Sequence, residues 1–154
     1  MNELLVGKVK TVYDIDGDAQ KVLIKFHDKV TAGNGRSVDF PEDKGKICCL
    51  ISALLFELME KNGIKTHFIG TEGLDTMLCK KLTIIPVEVI VRNIAAGSIV
   101  KTTTINEGTI INPPIVEYFL KDDAKDDPLL THDRVRLMGI DPAPMKERAL
   151  DINY

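Results

Sequence analysis

No apolar run in the 154 residues reaches the ~18 that a membrane-crossing helix requires, which argues against a helical span. Met1 to Lys10 lacks the apolar centre of a signal peptide. Cysteines number only three, and two of them adjoin at Cys48 and Cys49. That is a poor disulfide framework, and their place inside a helical pattern favours packing over metal or redox chemistry. The formal charge is only −3, so no excess of one sign points to nucleic acid or an anionic membrane. Repeats and low-complexity segments are missing. So are a Ser–His or Cys–His arrangement for a protein nucleophile and the H-R-D and D-F-G segments of a protein-kinase-like phosphotransferase. The expectation is a reduced, cytoplasmic protein with small-molecule partners.

What is present suffices for a core: 44% of residues are hydrophobic and 28% charged, enough for one domain or for two small lobes. The most informative stretch is Ile84 to Lys101, I-I-P-V-E-V-I-V-R-N-I-A-A-G-S-I-V-K. Val87 to Val91 reads as a strand buried on at least one face. Alternation then points Glu88, Ile90 and Arg92 one way and Val87, Val89 and Val91 the other. Glu88 and Arg92 fall roughly 13 Å apart, too far for a mutual ion pair and suited to two ends of a small polar molecule. Ala95, Ala96, Gly97 and Ser98 follow, where backbone N–H groups and a hydroxyl can meet an anion such as phosphate. A core strand with a separately paired Glu and Arg fits the same residues.

Elsewhere, residues 4 to 30 alternate apolar runs with turn signals and read as a β-hairpin, with Val22 to Phe26 as its second strand. Gly7, Lys8 and Lys10 at its entrance can cover phosphates, although an ordinary turn explains them too. Thr31 to Gly35, with Asn34, reads as a permissive polar loop. Gly45 to Asn62 is the clearest helix. Ile47, Leu50, Ile51, Leu54, Leu55 and Leu58 form one apolar stripe, expected to pack on the sheet, and Gly63 stops the helix. His67 reads as structural. Met77 to Ile85 is expected to be a strand approaching Pro86. Asn112, Pro113 and Pro114 are expected to break the pattern before a short strand, Ile115 to Leu120. A charged loop, Lys121 to Pro128, follows, and Asp122 and Asp126 read as solvated. Thr131 to Met138 and Pro144 to Tyr154 are expected to be helical.

P-V-E-V-I-V-R-N-I-A-A-G-S closely resembles the first signature of SAICAR synthetases, with Pro86, Glu88, Arg92, Gly97 and Ser98 at the family's spacing. G-K-V-K-T-V-Y, T-A-G-N-G, G-I-K-T-H-F, N-P-P-I-V-E and Y-F-L-K-D-D-A-K-D-D-P also resemble family segments, in the family's order. The resemblance implies an α+β, two-lobed fold. Residues 1–83 would be an N-terminal antiparallel β lobe with a packed helix, like a kinase small lobe, that covers the nucleotide. Residues 84–154 would begin an ATP-grasp-like second lobe. The implied reaction joins L-aspartate to the carboxylate of an aminoimidazole ribonucleotide, with ATP and Mg²⁺ as cofactors.

By the same resemblance, Gly7, Lys8, Lys10 and Lys121 face the nucleotide's phosphates, and backbone groups around Leu82 and Ile84 meet the adenine. Asn34, Glu88, Arg92, Gly97 and Ser98 bind the ribonucleotide, and Lys121 and Asp123 are the catalytic pair, with Asp123 and Asp127 near the substrate pocket or organising its loop. Two departures stand out: Val9 stands where many members have alanine, and Asn34 where some carry aspartate. The family's later V-D-F-K-x-E-F-G-like and D-E-x-S-P-D-like segments, which the resemblance credits with the Mg²⁺ carboxylates, do not occur here. The expectation is therefore no metal ligand in this chain, no ligation by it alone, and self-association through uncovered apolar surface. A non-catalytic nucleotide-binding module stands as the alternative.

Overall fold

The structure, a computed structural model, describes residues 2–32 and 37–154. Asn34 lies outside the described residues. The chain divides into two compact units, Met1–Thr83 and Ile84–Tyr154. Both are built on antiparallel sheets. Among the described residues, no helix is long and apolar enough to cross a membrane.

The first unit is a five-stranded sheet in the order β1-β2-β3-β7-β6. Its strands are β1 (Glu3–Val6), β2 (Lys10–Ile15), β3 (Asp18–Phe26), β6 (Phe68–Thr71) and β7 (Thr76–Lys80). A two-stranded ribbon, β4 (Val30–Ala32) with β5 (Ser37–Asp39), stands apart from it. The hairpin expected from residues 4 to 30 is thus part of a larger meander. β7 ends at Lys80 rather than running to Ile85. Lys81 to Ile85 lies outside the strand. β7's registered partners on β3 run from Lys21 to Lys25, and the Lys81 amide makes one further bond, to the Gln20 carbonyl at 2.7 Å.

Helix α1 (Lys44–Lys61) packs on β3, β6 and β7. Its start is fixed by tertiary structure: the Gly45 amide donates to Asp28 Oδ1 at 2.8 Å. A Cβ on Gly45 would stand 2.9 Å from the Phe26 carbonyl oxygen, so only glycine admits this approach. The buried side of α1 is not the leucine stripe. Cys49 and Ala53, backed by Cys48 and Phe56, join Val22, Phe26, Phe68, Met77 and Cys79 in the core. Ile47, Leu50, Ile51, Leu54, Leu55 and Leu58 are all exposed. The helix is apolar on both sides, so periodicity alone could not choose between them. Small side chains at Cys49 and Ala53 allow the closer approach to the sheet.

The cysteines are free, as packing residues should be. Burial pushes the Cys79 thiol up to about 11 and also raises that of Cys49. His67 lies edge-on to Phe56, ring centres 5.0 Å apart. Burial first, then the charges of Lys10 and Lys80, lower its pKa below the ordinary 6.5.

In the second unit, β8 (Val87–Ile94), β9 (Ile110–Leu120) and β10 (Leu129–Leu130) make a sheet in the order β10-β9-β8. β9 runs through Asn112, Pro113 and Pro114, where the sequence pattern predicted a break. The prolines are tolerated because the β8–β9 register shifts between Arg92 and Ile94, and β10 reaches only Tyr118 and Phe119. No continuous ladder therefore demands their missing N–H groups. Short α2 (Ser98–Thr102) follows β8; α3 (His132–Leu137) and α4 (Pro142–Asn153) follow β10. Thr131 caps α3, its hydroxyl accepting from the Arg134 amide, and Asp141 caps α4, accepting from Ala143. The capped Asp141–Pro142 start puts the beginning of α4 two residues ahead of the expected Pro144.

Two measurements check this packing. Ala53→Leu should destabilise the first unit by about 1–3 kcal/mol in urea unfolding, because it overfills the helix–sheet contact. His67 should make stability fall as pH drops below about 6.5. The unfolded chain binds its proton near the ordinary pKa and the folded chain only at lower pH, so acid favours unfolding. His67→Gln should flatten that slope between about pH 7 and pH 5, measured as unfolding midpoints against wild type.

Candidate active site

The β8–β9 register creates a sheet with two unlike faces. Val87, Val89, Val116 and Leu120 pack with Tyr118, Leu130 and Val135 against Ile140 and Met145. Tyr118 is buried and donates its hydroxyl to the Pro142 carbonyl at 3.3 Å. Glu88 pairs in register with Phe119, Ile90 with Glu117, and Arg92 with Ile115. Residues directly opposite share a face, so Glu88, Arg92 and Glu117 all stand on the polar side.

Arg92 is held at three points. Its Nε donates to Glu117 Oε2, its Nη1 to the Ala96 carbonyl at 3.0 Å and its Nη2 to Ser98 Oγ at 2.7 Å. The side chains of Arg92 and Glu117 are only 12% and 18% exposed, so this ion pair is screened far less than a surface one. A guanidinium has five N–H donors, and these contacts leave one on each terminal nitrogen. Ser98 is brought within reach by Gly97, whose φ of 66° and ψ of −125° lie where side-chain-bearing residues rarely go. Arg92, Gly97 and Ser98 therefore come together as the sequence suggested.

Glu117 is the member that sequence reasoning missed. Its signal was present: a lone carboxylate within the otherwise apolar I-V-E-Y-F-L. A charge in such a strand is seldom left without a partner.

At the other end of the same face, Lys121 leaves β9 and collects carboxylates. Asp127 Oδ2 accepts from its ammonium at 3.0 Å, while Glu88 and Asp123 each lie 3.9 Å away. The Asp127 hydrogen bond is the main cause that raises the Lys121 pKa and keeps it cationic. Asp127 also accepts from the Asp122 amide at 2.8 Å through Oδ1. These bonds hold a tight loop around the single 3₁₀ turn Asp123–Lys125, in which Asp126 and Asp127 have positive φ, 56° and 45°. Backbone held in that region by its surroundings is common at functional sites. Asp122 pairs with Lys125 at 2.8 Å, and that hydrogen bond lowers its pKa.

Of the remaining candidates, Gly7, Lys8, Lys10 and Leu82 belong to the first unit and Ile84 opens the second. Gly7 closes the turn between β1 and β2, donating its amide to the Lys10 carbonyl at 2.8 Å. Lys8 is exposed. The Lys10 ammonium stands 4.6 Å from the centre of the Phe26 ring, a cation–π contact. Leu82 and Ile84 are exposed, 61% and 78%. Among the described residues, no group of three or more His, Cys, Asp or Glu is placed to hold a metal ion.

The unequal burial of the two ion-pair systems has a measurable consequence. Glu117→Ala leaves the Arg92 cation poorly solvated and should cost about 2 kcal/mol in urea unfolding of the second unit. Asp123→Ala, at an exposed pair, should cost less than about 0.5 kcal/mol.

Comparison with known proteins shows the family. A family model described as SAICAR synthetase matches residues 3–154. A phosphoribosylaminoimidazole-succinocarboxamide synthase of Sulfurisphaera tokodaii is 51% identical over 130 residues, covering 84% of this chain and 55% of the relative. Its counterpart in Methanocaldococcus jannaschii is 45% identical over 154 residues, covering 97% and 63%. Among solved structures, a SAICAR synthetase in complex with ADP superposes with a TM-score of 0.91 at 36% identity, covering 97% of this chain and 64% of that one. The synthase from Ehrlichia chaffeensis superposes at 0.93 with 32% identity, covering 99% and 65%. The chain thus spans somewhat under two thirds of the length of these relatives. The chain belongs to the SAICAR synthetase family.

Proposed function

We propose that this chain carries nucleotide- and substrate-binding groups of an ATP-dependent C–N ligase of purine biosynthesis. The reaction joins L-aspartate to the carboxylate of 5-amino-1-(5-phosphoribosyl)imidazole-4-carboxylate, giving SAICAR, ADP and phosphate. One observation carries the reading most directly: Arg92 is fixed by Glu117 and Ala96 beside the Ser98 hydroxyl, with one N–H on each terminal nitrogen left to bind. A planar fork next to a hydroxyl suits the 5′-phosphate of a ribonucleotide. The ADP bound by one similar synthetase supports the nucleotide half.

In this reading, ATP transfers its terminal phosphoryl group to the substrate carboxylate. The amine of aspartate then attacks the acyl phosphate, forms the amide bond and expels phosphate. The protein positions the reactants and balances charge. Arg92, Gly97 and Ser98 hold the ribonucleotide phosphate, with Glu88 at the other end of the face, and Asn34 is assigned to the same substrate. Lys121, kept cationic by Asp127, meets the transferring phosphoryl group, and Asp123 lies beside it. Gly7, Lys8 and Lys10 cover the ATP phosphates, and backbone around Leu82 and Ile84 receives the adenine. The first unit then serves as a kinase-small-lobe-like cover and the second begins an ATP-grasp-like lobe. Mg²⁺ neutralises the ATP phosphates when bound. The roles assigned to this chain's own residues are binding, orientation and charge balance. A cytoplasmic location suits such small-molecule work.

Calorimetric titration of the chain with the imidazole ribonucleotide and with ADP tests the assignment. Arg92→Lys should weaken ribonucleotide binding by about tenfold or more, since lysine loses the fork, and leave ADP binding within about twofold. Equal losses for both ligands would remove Arg92 from the substrate-phosphate site.

A further inference from the structure

Thr11, on β2, is a polar side chain only 3% exposed. Valine has nearly its shape without the cost of burying a hydroxyl, so packing by itself gives no reason for threonine here. The hydroxyl finds its partner in the residue that follows β3. Thr11 Oγ1 shares a hydrogen bond of 2.8 Å with His27 Nε2, 16 positions on. His27 meets the neighbouring turn a second time: its amide donates to the Val9 carbonyl at 2.9 Å. One residue thus grips both neighbours of Lys10. The Gly7 amide, donating to the Lys10 carbonyl at 2.8 Å, closes the same turn. The Lys10 ammonium itself stands over the ring of Phe26, next to His27 in the chain.

The stretch that does the gripping is itself fixed. The Phe26 amide donates to the Asp75 carbonyl at 2.8 Å, and the Gly45 amide donates to Asp28 Oδ1 at 2.8 Å. The Lys44 ammonium donates to the Lys29 carbonyl at 3.1 Å. A side chain that holds from so rigid a base can set the geometry of what it holds. We propose that His27 is a positioning residue for the turn Gly7–Lys10, acting through the Thr11 hydroxyl. This rests on the reading that the turn covers the phosphates of ATP. With the bond made, the base of the turn is pinned on both sides of Lys10, and its N–H and ammonium groups meet the phosphates already ordered. Without it, only the main-chain bond at Val9 ties the turn to His27, and the turn can swing about that point. Adenine and ribose gain nothing from His27, so its effect is confined to ligands that carry the phosphates.

Calorimetric titration of the full chain with ADP and with adenosine tests this. Thr11→Val and His27→Phe should each weaken ADP binding about five- to tenfold and leave adenosine binding within about twofold. His27→Gln, whose amide can reach the same hydroxyl, should keep ADP binding within about threefold. Both losses run through one bond, so T11V combined with H27F should bind ADP no worse than either alone, within about twofold. That double variant should also recover the urea midpoint that His27→Phe loses, because replacing both partners leaves no unpaired hydroxyl. Stability recovered without ADP binding separates positioning from a merely structural bond. Equal losses for ADP and adenosine, additive losses in the double variant, or ADP binding that returns with stability overturn the proposal. So does ADP binding that falls with Lys8→Ala and Lys10→Ala but ignores Thr11→Val and His27→Phe, a result that leaves the phosphate-cover reading intact. ADP binding indifferent to all four variants overturns that reading and this inference together. If His27→Phe fails to fold, Thr11→Val, which keeps the shape of its side chain, decides alone.

Discussion

Along β8, Val87 and Val89 pack on the Tyr118–Leu130–Val135 core, which leaves Glu88 and Arg92 only the other face. The antiparallel register then brings Glu117 to the same face, one pair away from Arg92. An arginine alone on a strand would wander among rotamers. Tied by its Nε to a carboxylate at 18% exposure, and by both terminal nitrogens to Ala96 and Ser98, it points one way. The Arg92–Glu117 pair thus turns a polar sheet face into an oriented donor, and a ligand bound there meets a side chain that has already lost its freedom.

Lys121 belongs to the same face but works under different physics. It is more than half exposed and surrounded by Glu88, Asp123 and Asp127. Those exposed pairs add little to stability. Their effect is to keep the ammonium charged and to shape a loop with two aspartates at positive φ. One end of the face is therefore rigid and partly desolvated, the other wet and charge-rich. That division suits a site that grips a phosphate at one end and neutralises a reacting group at the other.

The first unit shows a similar economy of space. Cys49, Ala53 and Phe56 bring α1 onto the sheet, and Gly45 lets its first turn touch the end of β3. The side chains that carry most of the helix's hydrophobicity point outward instead. Core packing selects for fit as much as for apolarity, and a row of leucines and isoleucines is too bulky for so close an approach.

Local rules explain what was legible. Alternation along β8, the small-residue turn at Gly97 and the apolar length of α1 depend on residues next to one another, so the sequence by itself determined β8, the presence of α1 and the shared face of Glu88 and Arg92. The signature around Pro86 to Ser98 was legible for the same reason. The pairing of Arg92 with Glu117, 25 positions apart, needed the β8–β9 register. The passage of β9 through Pro113 and Pro114 needed to know which backbone groups had neighbours. Which side of α1 is buried was also decided only in the tertiary structure, because a helix apolar on two sides satisfies its own periodicity either way and only the shape of the sheet beneath it breaks the tie.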